Sequence, residues 1–133
     1  MGAGSGGGYA NFGPSLQGNV QAVVNKYPYN SHSGLFGVKG NGSARVIVSD
    51  NPSTTAKAFF KDLSKGGSTS SVAKTDPKGM KMTKFIDGSS VTYRPNSKSG
   101  SPSVNLLITS GSKYQNYKIH FEQTGWMPKK DKR

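Results

Sequence analysis

From Met80 to Glu122 the chain alternates apolar and polar residues in short runs, and the runs come in pairs. MKMTKFI and SSVTYRPN meet at Asp87-Gly88, and SPSVNLLIT and KYQNYKIHFE meet at Ser110-Gly111-Ser112. A period of two sends successive side chains to opposite faces of a strand. Asp-Gly between two such runs is a hairpin signal, because a two-residue turn of matching twist needs positive φ. The pattern predicts roughly four strands in antiparallel order.

The segment before them has helical spacing instead. In DNPSTTAKAFFKDLSKGG, Ala56, Phe59, Phe60 and Leu63 form one apolar stripe. Asp50 or Asn51 is the expected N-cap, with Pro52 near the first turn and Gly66-Gly67 as the stop. ARVIVSD predicts one more strand, ending at Asp50, and NVQAVVNKY a helix of about two turns through Val20, Val23 and Val24. SGLFGVKGNGS reads as loop and STSSVAKTDPKG as a polar bridge. A helix followed by a meander implies an α+β fold with the helix on one sheet face.

A chain of 133 residues is one domain by size. MGAGSGGG, residues 1–8, reads as a flexible linker or a cloning remnant. Without cysteine there is neither a disulfide framework nor a thiolate zinc site. No apolar run reaches the ~18 residues of a membrane span, and the N-terminus lacks a signal-peptide pattern.

Charge narrows the partners. Lys+Arg number 18 against 6 Asp+Glu, a formal net charge of +12. Such a field attracts polyanions: nucleic acid, anionic lipid or an acidic protein. Lys57, Lys61 and Lys65 recur at i+4 on the long helix, either as a solvated face or as phosphate contacts.

The alternation also sorts the polar side chains. If Val91, Tyr93, Val104, Leu106, Ile108, Tyr117, Ile119 and Phe121 cover the helix, the other face carries Thr92, Arg94, Ser103, Asn105, Lys118 and His120. These are groups that bind and cleave a phosphodiester. Hydrolysis of DNA usually calls on metal ions held by carboxylates. The acids here are Asp50, Asp62, Asp76, Asp87, Glu122 and Asp131, scattered and without a recognisable ligand motif. RNA carries its own nucleophile, the 2′-hydroxyl. The protein then supplies a proton shuttle and cations for the developing charge. Histidine suits the first task and the arginine fork the second. Lys118 lowers the pKa of a neighbouring histidine by like-charge repulsion. Against this stands the plain alternative that His120 is an exposed strand residue without a role.

The order of these pieces resembles a known module. A helix closing on Gly-Gly, then Asp87-Gly88 and Val91-Thr92-Tyr93-Arg94, a Ser/Gly/Pro-rich turn over Ser97 to Ser103, and Lys118-Ile119-His120-Phe121 at the end resemble the C-terminal toxin modules of bacterial polymorphic toxins. These are of the LXG and contact-dependent growth inhibition types. The resemblance covers Val48 to Glu122 and leaves the first third unexplained; it implies residues 48–133 as the catalytic toxin domain and 9–47 as an entry or N-terminal helical segment. It implies helices packed on an antiparallel sheet of about four to five strands, like the barnase/EndoU/colicin/RelE group of ribonucleases, which often act on tRNA. It implies Arg94 and His120 as the catalytic pair, supported by Lys118 and a hydroxyl from Ser101 or Ser103. No metal or other cofactor is implied. Thr92, Asn105, Lys57, Lys61 and Trp126 would contact substrate. Relatives carry an acid where this chain has Asn105, which leaves the acid and base roles open. The implied protein is an endoribonuclease toxin delivered as the tip of a larger secreted or surface protein. It would act in the target-cell cytoplasm and be restrained by an acidic immunity protein. Two alternatives stand beside it: a nonenzymatic nucleic-acid binder, and a toxin of other chemistry such as a DNase or a nucleotide-consuming enzyme.

Some features carry less. His32 lies in a Gly/Ser-rich loop and reads as a bystander. SKSGSP, Ser97 to Pro102, serves equally as a hairpin loop or a backbone cradle for phosphate. Lys129 to Arg133 reads as a solvated tail.

Overall fold

The computed structural model describes residues 15–40, 44–71, 79–96, 100–110 and 113–127. The first helix, α1, spans Leu16–Val23. It begins earlier than the valine spacing suggests. Leu16 joins Val20 and Val23 in one buried stripe, and the Ser15 hydroxyl accepts from the Gly18 amide at 3.0 Å, capping an otherwise orphaned donor. A small hairpin follows, β1 (Tyr29–Asn30) with β2 (Leu35–Phe36), then β3 (Val38–Lys39) and β4 (Arg45–Ser49). The long helix α2 is Pro52–Leu63. Five strands complete the chain: β5 (Ser68–Ser71), β6 (Lys81–Lys84), β7 (Ser90–Arg94), β8 (Ser103–Ser110) and β9 (Lys113–Gln123).

The fold is α+β, but the sheet exceeds the four or five antiparallel strands expected. It has seven strands in the order β3-β4-β9-β8-β7-β6-β5, and it is mixed. β5 to β9 form an antiparallel meander, whereas β4 lies parallel to β9, with Val46 opposite His120. β5 escaped the reading because Ser-Thr-Ser-Ser shows no apolar alternation. Pairing makes it a strand: Thr69 sits opposite Thr83, and their hydroxyls meet at 2.6 Å. β2 and β3 lie in the stretch read as loop, because each is two residues long and glycine separates them.

α2 follows its sequence closely. The Asn51 side chain accepts from the Thr54 amide at 3.3 Å, and Pro52 takes the first helical position, where no amide partner is needed. Ala56, Phe59, Phe60 and Leu63 are buried against β4, β7, β8 and β9. Full burial of such large side chains is worth about 1.5–3 kcal/mol each. Phe59 is the hub. Its ring meets Phe36 at 5.0 Å and Tyr27 at 4.9 Å edge-on, and Phe121 at 5.4 Å. One ring therefore gathers β2, the segment after α1, and β9. The residues of α1 belong to the same core.

A polar tie fastens the segment after α1 to α2. The Lys26 ammonium and the Tyr27 hydroxyl both donate to Asp62 Oδ2, at 2.7 and 3.0 Å. Burial alone would raise the Asp62 pKa, but these two donors outweigh it and hold the carboxyl below its usual value. Among the described residues no helix is long and apolar enough to cross a membrane.

Candidate active site

Helices α1 and α2 occupy one face of the sheet, and the core requires it. Val91, Val104, Leu106, Ile119 and Phe121 are buried beneath them. By alternation Thr92, Arg94, Ser103, Asn105, Lys118 and His120 turn to the opposite face. There, among the described residues, neither helix covers them.

The register sets these residues in two adjacent rows. Ser103 of β8 stands opposite Arg94 of β7 on one side and His120 of β9 on the other. Asn105 likewise stands between Thr92 and Lys118. Strands are spaced at about 4.8 Å, so the backbones of Arg94 and His120 lie about 10 Å apart. A serine between them leaves a shallow floor, and Ser103 itself is buried. The long arginine side chain can reach back across that floor.

His120 is half-buried, neither sealed in the core nor fully in water. Its Nδ1 lies 3.2 Å from Ser101 Oγ. Its pKa is held below the ordinary 6.5, first by burial, which disfavours the imidazolium, and then by the Lys118 ammonium; Glu122 pulls the other way. Ser101 is placed by the start of β8. Pro102 cannot donate to a ladder, but its carbonyl accepts from the Phe121 amide at 2.9 Å. The Asn105 amide donates to Asn116 Oδ1 at 2.9 Å, which fixes it beside Lys118.

Other residues singled out in the sequence lie elsewhere. Lys57 and Lys61 are on α2, so the sheet separates them from Arg94 and His120. Trp126 lies in the turn after β9, half-buried, outside both rows. His32 is exposed in the β1–β2 turn, where its amide donates to Asn30 Oδ1. Tyr93 is buried among the core residues. The turn at Gly111-Ser112, part of the Ser97 to Pro102 loop, and the basic tail from Lys129 lie outside the described residues.

One residue was missed. Glu122 follows His120 by two positions on β9 and shares its face, close enough to act on the imidazole. The alternation Lys118, His120, Glu122 was legible in YKIHFE. Among the described residues no three His, Asp or Glu side chains gather as a metal-binding group.

The resulting arrangement is a guanidinium, an imidazole and an ammonium, each half-buried, on the sheet face away from the core, with the buried Thr92 and Ser103 hydroxyls and the Asn105 amide between them. Such a set can hold a phosphodiester, move a proton and offset negative charge. Compared with family models, curated proteins and solved structures, the chain matches none.

Proposed function

We propose that this chain is a metal-independent endoribonuclease that cleaves RNA by attack of the 2′-hydroxyl on the adjacent phosphorus. The observation that carries the reading is the row Arg94–Ser103–His120, with Lys118 in the next row. Arg94 binds the non-bridging phosphate oxygens through its fork, and Lys118 adds positive potential. His120 serves as general base. A pKa held below 6.5 favours the neutral ring at pH 7, and in the tautomer that carries its proton on Nδ1, toward Ser101 Oγ, Nε2 is the basic nitrogen. The 2′-oxygen forms its bond to phosphorus as the 2′-proton passes to His120. The bond to the 5′-oxygen breaks, and that oxygen takes a proton from water at the open face. The products are a 2′,3′-cyclic phosphate and a 5′-hydroxyl.

The resemblance of Val48 to Glu122 to toxin modules supports the rest of the reading. The substrate would be tRNA, the chain the tip of a delivered interbacterial toxin, and an acidic immunity protein would cover the basic face. The experiment is incubation of the protein with total cellular RNA in EDTA, beside His120→Ala and Arg94→Ala. Loss of discrete tRNA bands with the wild type alone, leaving cyclic-phosphate ends, is the expected result. Equal behaviour of wild type and His120→Ala would remove the enzyme reading. A net charge of +12 favours the second reading, a nonenzymatic nucleic-acid binder, which the same comparison would then support.

A further inference from the structure

A second cationic feature lies on the opposite side of the sheet. Between α2 and the adjoining ends of β6 and β7 is a cleft of about 620 Å³. Lys57 and Lys61, one helical turn apart, stand along one wall, and Lys81 of β6 stands on the sheet side. Its apolar part is Pro95 together with the small margins of Phe60 and Tyr93 that the core leaves uncovered, 7% and 5% of each residue. Its described lining contains no carboxylate, and among the described residues the ion pair formed is Lys26–Asp62, away from this cleft.

Ammonium groups from two elements around one concavity repel one another, and the walls focus their field. Such a grouping fits an anion with an apolar part. The volume falls within the ~300–1,000 Å³ of small-ligand clefts, large enough for a base and its phosphate. Position narrows this further. Tyr93 and Pro95 face the cleft, whereas Arg94, between them, faces the open side. The end of β7 thus joins the cleft to the proposed scissile-phosphate site.

We propose that this cleft is a second RNA subsite. It takes one nucleotide of a single-stranded segment away from the cleaved bond, the base against Phe60, Tyr93 and Pro95 and the phosphates against Lys57, Lys61 and Lys81. The proposal rests on the ribonuclease reading for the identity of its ligand. It assigns the RNA a path around the end of β7 from one sheet face to the other.

The test uses His120→Ala protein and a fluorescent single-stranded oligoribonucleotide, with anisotropy read across a salt titration. Adding Lys57→Ala, Lys61→Ala and Lys81→Ala together is expected to weaken binding at least ~10-fold. The log–log salt slope should fall by about 1.4, as for the two phosphates that flank one nucleotide of a single strand. A probe of the same length with abasic sites should bind the intact cleft ~5–100-fold more weakly, as loss of base contacts predicts. Unchanged affinity and slope, or equal binding of the abasic probe, would overturn the proposal. All three lysines are exposed, and Lys81→Gln alone, expected to give a smaller loss in the same direction, guards against damage to the fold. The two readings fail separately. Wild-type cleavage with normal binding by the triple variant removes the cleft alone. No cleavage by wild type, with lysine-dependent binding retained, removes the nuclease and leaves the nucleotide subsite.

Discussion

Arg94 and His120 face the same side of the sheet, each opposite Ser103 and one strand to either side of it. Strand register places both on the sheet face away from the buried core. A slip of one residue would send either group to the core face. The buried face prevents that slip: Val104 and Ile119, opposite each other, are both fully buried, and so are Leu106 and Val91. Hydrocarbon on one side of the sheet therefore positions the chemistry on the other.

The first prediction separates charge from geometry at Arg94. Arg94→Lys keeps a cation but loses the planar fork, and is expected to recover only part of the activity lost in Arg94→Ala. His120→Ala should lower the cleavage rate by about 10²–10⁴, the usual share of general acid–base catalysis. Because the two groups act on one phosphate, the double variant should lose less than the product of the single losses. Initial rates on a defined RNA, with urea midpoints confirming an intact fold, check all three. Multiplying losses would indicate that Arg94 and His120 do not share a site.

The second prediction concerns pH. Burial first, and Lys118 second, place the His120 pKa below 6.5. As a general base it must be neutral, so activity should rise with pH along a limb whose midpoint lies below the ordinary histidine value of 6.5. Lys118→Gln removes the repelling charge and should move this limb upward. Glu122→Gln removes the opposing attraction and should move it downward. The same shift acts on stability. Below pH 6.5 the unfolded chain takes up a proton at this position that the folded chain resists. Stability should fall as pH drops from 6.5 through the folded pKa, and stay level with respect to this group above it. His120→Gln should remove that dependence. Imidazole NMR titration and urea melts at several pH values provide the measurements.

Legibility in the sequence followed the strength of local patterns. The cap and stripe of α2 and the two faces of β7, β8 and β9 could be read directly, because one cap, two helical turns or a few alternating residues define each. The register could not: alternation says which face His120 takes but not which residue of β8 stands opposite. β4 read as a strand, yet its parallel pairing with β9 joins segments far apart in the chain, where no local pattern speaks. Lys57 and Lys61 looked like partners of Arg94 by charge alone. Only the placement of α2 puts the sheet between them.

The third prediction tests the hub of the core. Phe59 is fully buried and in ring contact with Tyr27, Phe36 and Phe121. Phe59→Ala should cost about 3–5 kcal/mol, since the cavity is shared by three elements that cannot all collapse into it. Asn51→Ala, at the exposed cap of the same helix, should cost about 1 kcal/mol. Comparable urea midpoints for the two variants would mean that Phe59 does not hold α2 to the sheet.

The last prediction falls on the joint between the first hairpin and the sheet. Gly37 separates β2 from β3 with φ at +76°, a region where a side chain is strained. A methyl group there would also collide with the Val46 carbonyl oxygen, which is backbone and cannot rotate aside. Val46 lies on β4 opposite His120, so the clash would press on the strand that flanks the catalytic row. The Arg45 guanidinium donates to the Phe36 and Gly37 carbonyls, which holds the same joint from the other side. Gly37→Ala should therefore lower stability by at least ~1–3 kcal/mol, the range for a strained backbone position. It should also raise the amide exchange rates of β3 and β4 more than those of β6 and β7. Uniform acceleration across all strands would instead mean that the joint is part of the global unfolding unit and does not open on its own.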